Sequence, residues 1–139
     1  MIKIYFTNYK YIKIMNYGIL NQYNIKFVNV DGKKRVSFKG RSIIERYIYI
    51  YNDVESVDEL LADADLAIQG NLDQIENYIP NSNPPSADYT AGDGGCDIWG
   101  NLTSNHLKLI ETEVINDSII IPIADWNEIL LSWKEFLQS

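Results

Sequence analysis

The chain has one cysteine and one histidine, and beyond residue 50 it has almost no positive charge. Each scarcity removes a class of function. Cys96 has no second thiol, so no intramolecular disulfide forms, and this cysteine usage fits a reducing compartment. Clustered Cys and His ligands for zinc are missing. His106 is the only imidazole, and nothing in the spacing gives it a nucleophile or an orienting carboxylate, so it reads as structural. There is no run of eighteen apolar residues, so no membrane span is expected. The opening stretch MIKIYFTNYKYIKIMNYG alternates polar and apolar residues where a signal peptide would carry a continuous apolar core. A cytoplasmic location and no contact with membranes are therefore expected.

Charge is the most unequal feature. Residues 1–50 carry ten basic and two acidic residues, net +8; residues 51–139 carry Lys108 and Lys134 against seventeen acids, net −15. The stretch YNDVESVDELLADADLAIQGNLDQIENY, residues 51–78, holds Asp53, Glu55, Asp58, Glu59, Asp63, Asp65, Asp73 and Glu76 and no basic residue. Two readings follow. Lysines of the first half can neutralise these acids inside the fold, or the acids face a basic partner.

At 139 residues the chain is expected to be a single domain, residues 1–139, that buries roughly two-thirds of its unfolded surface. The first fifty residues read as strands. IKIYF and YIKIM alternate with period two, and NIKFVNVDGKKRVSF reads as a hairpin around Asp31-Gly32, whose Lys33, Lys34, Arg35 and Lys39 are expected to stay solvated. IIERYIYIY sets Ile44, Ile48 and Ile50 against Tyr47, Tyr49 and Tyr51, which predicts a central strand.

The period then changes. Ser56 followed by Glu59 predicts a capping box, with Val57, Leu60, Leu61, Ala64 and Ile68 on the inner face of the helix and Gly70 ending it. Asn71 and Gln74 predict a second short helix with Leu72, Ile75 and Ile79 inward, stopped by Pro80. PNSNPPSADYTAGDGG reads as a long irregular connection, CDIW as a strand start, and LKLIETEVINDSIIIPI as a hairpin around Asn116-Asp117. In ADWNEILLSWKEFL, Trp126, Ile129, Leu130, Trp133 and Leu137 lie on one helical face. The expected fold is α+β: a mainly antiparallel β-sheet with two central acidic helices and a C-terminal amphipathic helix.

The chemistry of sites points to binding and not to catalysis. AGDGGCD lacks the Lys-Ser/Thr of a phosphate-binding loop, and Asp93 and Asp97, which could ligate a hard cation, match no EF-hand spacing; the glycines read as a tight turn. No metal and no cofactor is expected. A −15 segment repels nucleic acid, so direct nucleic-acid binding is not expected either. An acidic face suits the positive cleft of an enzyme acting on RNA or DNA. The residues assigned to such a partner surface are Asp58, Glu59, Asp63, Asp65, Asp73, Glu76, Asp93 and Asp97.

With its small, acidic, Asn/Ile/Tyr-rich character and the patterns GDGGCDIWGN and IPIADWNEILLSWKEFL, the chain resembles immunity proteins of bacterial toxin–immunity pairs, such as those of contact-dependent growth inhibition and other polymorphic-toxin systems. That resemblance implies a cytosolic antitoxin, not an enzyme, that binds one cognate toxin domain, often a nuclease such as an RNase or tRNase, and blocks its active site or its access to substrate. It carries over no contact residues. The alternative is a non-inhibitory interaction module or adaptor of a bacterial or phage assembly.

Overall fold

The computed structural model describes residues 2–7, 11–38, 42–88, 98–113 and 116–139. Strands β1 (Ile2–Thr7) and β2 (Tyr11–Asn16) form an antiparallel hairpin with Ile2 opposite Asn16. Asn16 then turns the chain into α1 (Tyr17–Gln22): its side-chain oxygen accepts the Ile19 N–H at 3.1 Å, an N-cap bond. Strands β3 (Phe27–Val30) and β4 (Lys33–Val36) make the second hairpin, with Asp31 at φ 53° and Gly32 at φ 80° as the sequence predicts for a primed turn. Its cations are not simply solvated. Lys34 Nζ donates to the carbonyls of Leu137 and Ser139 at the C-terminus. Arg35 lies over Phe38 at 5.3 Å, a cation–π distance. Lys39 is outside the described residues.

The segment expected as a central strand is a helix, α2 (Ile43–Ile50). Ser42 caps it, its hydroxyl accepting the Ile44 N–H at 3.1 Å. Ile43, Ile44, Tyr47 and Ile48 are buried along one side, a helical spacing. Ile44 and Ile48 are four apart, so they satisfy the strand period and the helix period alike. The cap and the burial of one side decide between them.

Helix α3 (Val54–Ile68) begins earlier than the Ser56 capping box predicts. Asp53 is the cap: its carboxylate accepts the Ser56 N–H at 2.8 Å and the Ser56 hydroxyl at 3.1 Å. A carboxylate there also answers the positive end of the helix dipole, so it outcompetes a serine three residues later. Val57, Leu60 and Ala64 are buried as expected, with Ala67 in place of Ile68, which is exposed at the helix end. The helix ends in a Schellman motif. Asn71 N–H donates to Leu66 C=O at 2.8 Å and Gly70 N–H to Ala67 C=O at 3.1 Å, with Gly70 at φ 80°. The second expected helix is only a 3₁₀ turn, Leu72–Gln74, without a side-chain cap from Asn71. Leu72 and Ile75 point inward; Ile79 is exposed.

The main sheet is an antiparallel meander, β5 (Tyr78–Ile79), β6 (Ser86–Asp88), β7 (Ile98–Leu102), β8 (His106–Glu111) and β9 (Asp117–Pro122), in that spatial order. Strand β6 falls inside the stretch expected to be an irregular connection; Ala87 pairs with Tyr78 on one side and Leu102 on the other. The expected hairpin around Asn116-Asp117 is present as β8 and β9. One face of the sheet is buried: Ile98, Leu102, Leu107, Leu109 and Ile121 alternate inward. Helix α4 (Ile123–Gln138) lies against β8 and β9 and also touches α3 and β2, while α2 contacts β4, β8 and β9. Trp126, Ile129, Leu130 and Trp133 are all buried, as their spacing predicts. Trp133 packs against Phe27 and Phe136, and Trp126 against Tyr47, with ring centroids 5.0 to 6.1 Å apart. The α+β class with a mainly antiparallel sheet is thus the observed one. No helix of the described residues is long and apolar enough to cross a membrane.

Candidate functional site

The acids of residues 53–76 are held on the outside of α3 and the turn after it. In α3 the buried residues occupy the side packed on α4, so Glu55, Asp58, Glu59 and Asp65 project to solvent. Asp63 sits at the flank and is half-buried. Asp73 and Glu76 are exposed around the 3₁₀ turn. Six of the expected partner residues therefore lie in one stretch running from α3 into β5. Asp93 and Asp97 are outside the described residues.

Several acids also do structural work that sequence alone does not distinguish. Asp53 is spent on the cap. Asp58 Oδ1 accepts from Lys134 Nζ of α4 at 2.7 Å. Lys134 is one of only two cations after residue 50, so this pair removes half of that segment's positive charge. Asp65 accepts from Gln69 Nε2 at 2.9 Å. A cation of the first half does neutralise an acid of the second where Arg46 of α2 pairs with the buried Glu111 of β8. Glu45, also fully buried, accepts the Lys26 backbone N–H at 2.9 Å and the Ser37 hydroxyl at 3.2 Å. By contrast, the side chains of Glu59, Asp73 and Glu76 meet no hydrogen-bonding or ionic partner among the described residues.

A cleft of about 350 Å³ opens at the lower end of this acidic stretch. Its walls are Gly70 at the end of α3, Asp73 on the 3₁₀ turn, Tyr78 of β5, Pro84 and Pro85, and the β7–β8 turn at Ser104 and Asn105. Local bonding fixes each wall. The 3₁₀ turn is closed by Gln74 N–H to Asn71 C=O at 3.0 Å and Ile75 N–H to Leu72 C=O at 3.1 Å. The β7–β8 turn is pinned by buried Thr103, whose Oγ1 accepts the N–H groups of Asn105 and His106 at 3.2 and 3.1 Å. Sequence reasoning finds Asp73 but misses this cleft, because its walls, residues 70–85 and 103–105, meet only in the tertiary fold.

The histidine lies half-buried at the start of β8, with its backbone bonded to Thr103. Among the described residues no group of three or more His, Cys, Asp or Glu side chains could hold a metal ion. Tyr23 is strongly shifted, and its hydroxyl donates to Asp125 Oδ2 at 2.5 Å. Burial first, then that hydrogen bond and the adjacent negative charge, push its pKa up to about 12. This pair ties the end of α1 to α4.

On the far side, the outer face of the sheet leaves Trp99 59% and Ile120 56% exposed, with Ile110 between their strands. No family model matches the chain, and comparisons with curated proteins and with solved structures find no match.

Proposed function

We propose that this chain is an immunity protein that binds a basic toxin domain, a nuclease in the best-fitting case, and neutralises it by covering its positive active-site cleft. The observation that carries this reading is the outward display of Glu59, Asp73 and Glu76, which no internal partner among the described residues uses, on a stretch where Lys134 is already committed to Asp58. Charge that the fold does not consume is available to a partner. Complementary potentials of this kind steer association to as much as about 10⁸–10⁹ M⁻¹s⁻¹ at low salt. Within the C-terminal third, β7, β8, β9 and α4 pack together, and α3 with its acids lies against α4. The binding residues are Asp58, Glu59, Asp63, Asp65, Asp73 and Glu76, to which Asp93 and Asp97 belong by sequence alone.

The test is co-expression with the product of the neighbouring reading frame. Restored growth of cells carrying a toxic neighbour, together with loss of its activity in the purified complex, supports the proposal. A complex in which the neighbour keeps its activity sinks the inhibitory reading and favours the second one, a non-inhibitory adaptor. The exposed Trp99 and Ile120 on an open sheet face are the observation that favours that second reading.

A further inference from the structure

We propose that the cleft between the end of α3 and the β7–β8 turn is a receptor for one basic side chain of the partner, an arginine in preference to a lysine. The inference rests on the reading of the acidic stretch as a surface for a basic protein, and it places the anchoring contact at Asp73.

Four features converge on a cation. The cleft's carboxylate, Asp73, is exposed and meets no internal partner among the described residues, and the same holds for the polar side chains of Tyr78, Ser104 and Asn105. These supply a charge, a phenol and neutral oxygen acceptors around one space of about 350 Å³, ample for a guanidinium and its stem. The end of α3 also faces the cleft through Gly70, and its last turn holds no basic residue. The negative end of this fifteen-residue helix therefore has no cation from its own last turn to answer it. Finally, Tyr78 and the two prolines bring ring carbons to the lining, which suits a planar guanidinium that packs on them while it donates to Asp73. A compact, strongly hydrated ammonium gains less from such walls. An anion would meet Asp73 and the helix end unfavourably, and an uncharged ligand would gain no ion pair there.

The experiment titrates the intact, ¹⁵N-labelled protein with acetyl-arginine amide, with the acetyl-citrulline and acetyl-lysine amides as neutral and ammonium controls. The expected result is saturable shift changes at residues 70–78 and 103–105 with the arginine probe, weaker ones with lysine and none with citrulline. Asp73→Asn should weaken arginine binding about tenfold, the loss of a charge-assisted bond, and Tyr78→Leu should erase the preference for arginine over lysine. Both positions are at least partly exposed, so the variants are expected to stay folded. Changes confined to α3 at Glu55–Asp65 overturn the cleft while leaving a basic partner in place. Equal responses to arginine and citrulline, or none anywhere, overturn the cleft too, and the co-expression test then decides the wider reading by itself.

Discussion

The indole Nε1–H of Trp133 donates to the backbone carbonyl of Tyr51 across 2.7 Å. Tyr51 closes α2 two residues before the cap of α3, so this one bond fastens the joint between those helices to α4. The ring around it is fully buried against Phe27 and Phe136. Trp133→Ala should cost about 3–5 kcal/mol, the range for emptying a buried aromatic site. Trp133→Phe refills most of the volume but removes the donor to the Tyr51 carbonyl, a loss of about 1–3 kcal/mol. Urea denaturation separates the two. If Trp133→Ala unfolds at nearly the wild-type midpoint yet loses its partner, the tryptophan face belongs to the interface and not to the core.

The start of α3 offers a sharp test of which residue caps it. Asp53→Ala should lower stability by about 1 kcal/mol, since it removes both the bond to the Ser56 N–H and the favourable charge at the helix end. Ser56→Ala removes only a hydroxyl donating to Asp53 and should cost less. The reverse order in thermal denaturation would place the helix start at Ser56.

These two cases show what the sequence makes legible. A hairpin announced by Asp31-Gly32 and a C-terminal helix with tryptophans at helical spacing are readable because turn chemistry and period agree with the final burial. The stretch IIERYIYIY misleads because its isoleucines at 44, 48 and 50 fit a period of two, while Ser42 and Glu45, in S-x-x-E spacing, are the overlooked sign of a helix start. Even there Glu45 does not reach back to the cap; it turns inward to Lys26 and Ser37, a use that only the tertiary fold reveals. Ile68 and Ile79 continue an apolar period past the point where packing stops, so both end up exposed. Acidity itself is plain in the sequence. Which acids are spent is not, because Lys134 meets Asp58 from seventy-six residues away.

Tyr23 and Asp125 give a pH prediction. The folded phenol holds its proton up to about 12, against 10.0 for the ordinary group. The unfolded chain therefore loses this proton first as pH rises. The stabilisation is complete below the ordinary value and disappears as pH climbs through the interval to the folded one. Tyr23→Phe should lower neutral-pH stability by about 1 kcal/mol, a part-exposed bond being worth less than a buried one. It should also make the variant and the wild type converge in strongly alkaline solution. A gap in urea midpoint that stays constant across that interval would mean the bond contributes nothing that titrates.

The acidic surface divides into acids that hold the fold and acids that do not, and this division makes the functional proposal testable without unfolding the protein. Glu59, Asp73 and Glu76 are exposed and meet no internal partner among the described residues. Replacing them jointly by Gln, Asn and Gln should change stability by no more than about 0.5 kcal/mol per site. Association with a basic toxin should slow, and the salt dependence of its rate should flatten, because steering acts over about 8 Å at physiological ionic strength. Asp58→Asn serves as the contrast. It breaks the ion pair with Lys134, frees a cation beside the acidic face, and trades a small loss of stability, at most about 1 kcal/mol for so exposed a pair, for a further fall in association rate. Stopped-flow measurements over a salt series read both effects. If the triple variant loses stability and keeps its rate, the acids balance the basic first half of the chain. If neither quantity moves, the face is a solvated surface and the partner docks elsewhere, with the open sheet face around Trp99 and Ile120 the first place to look.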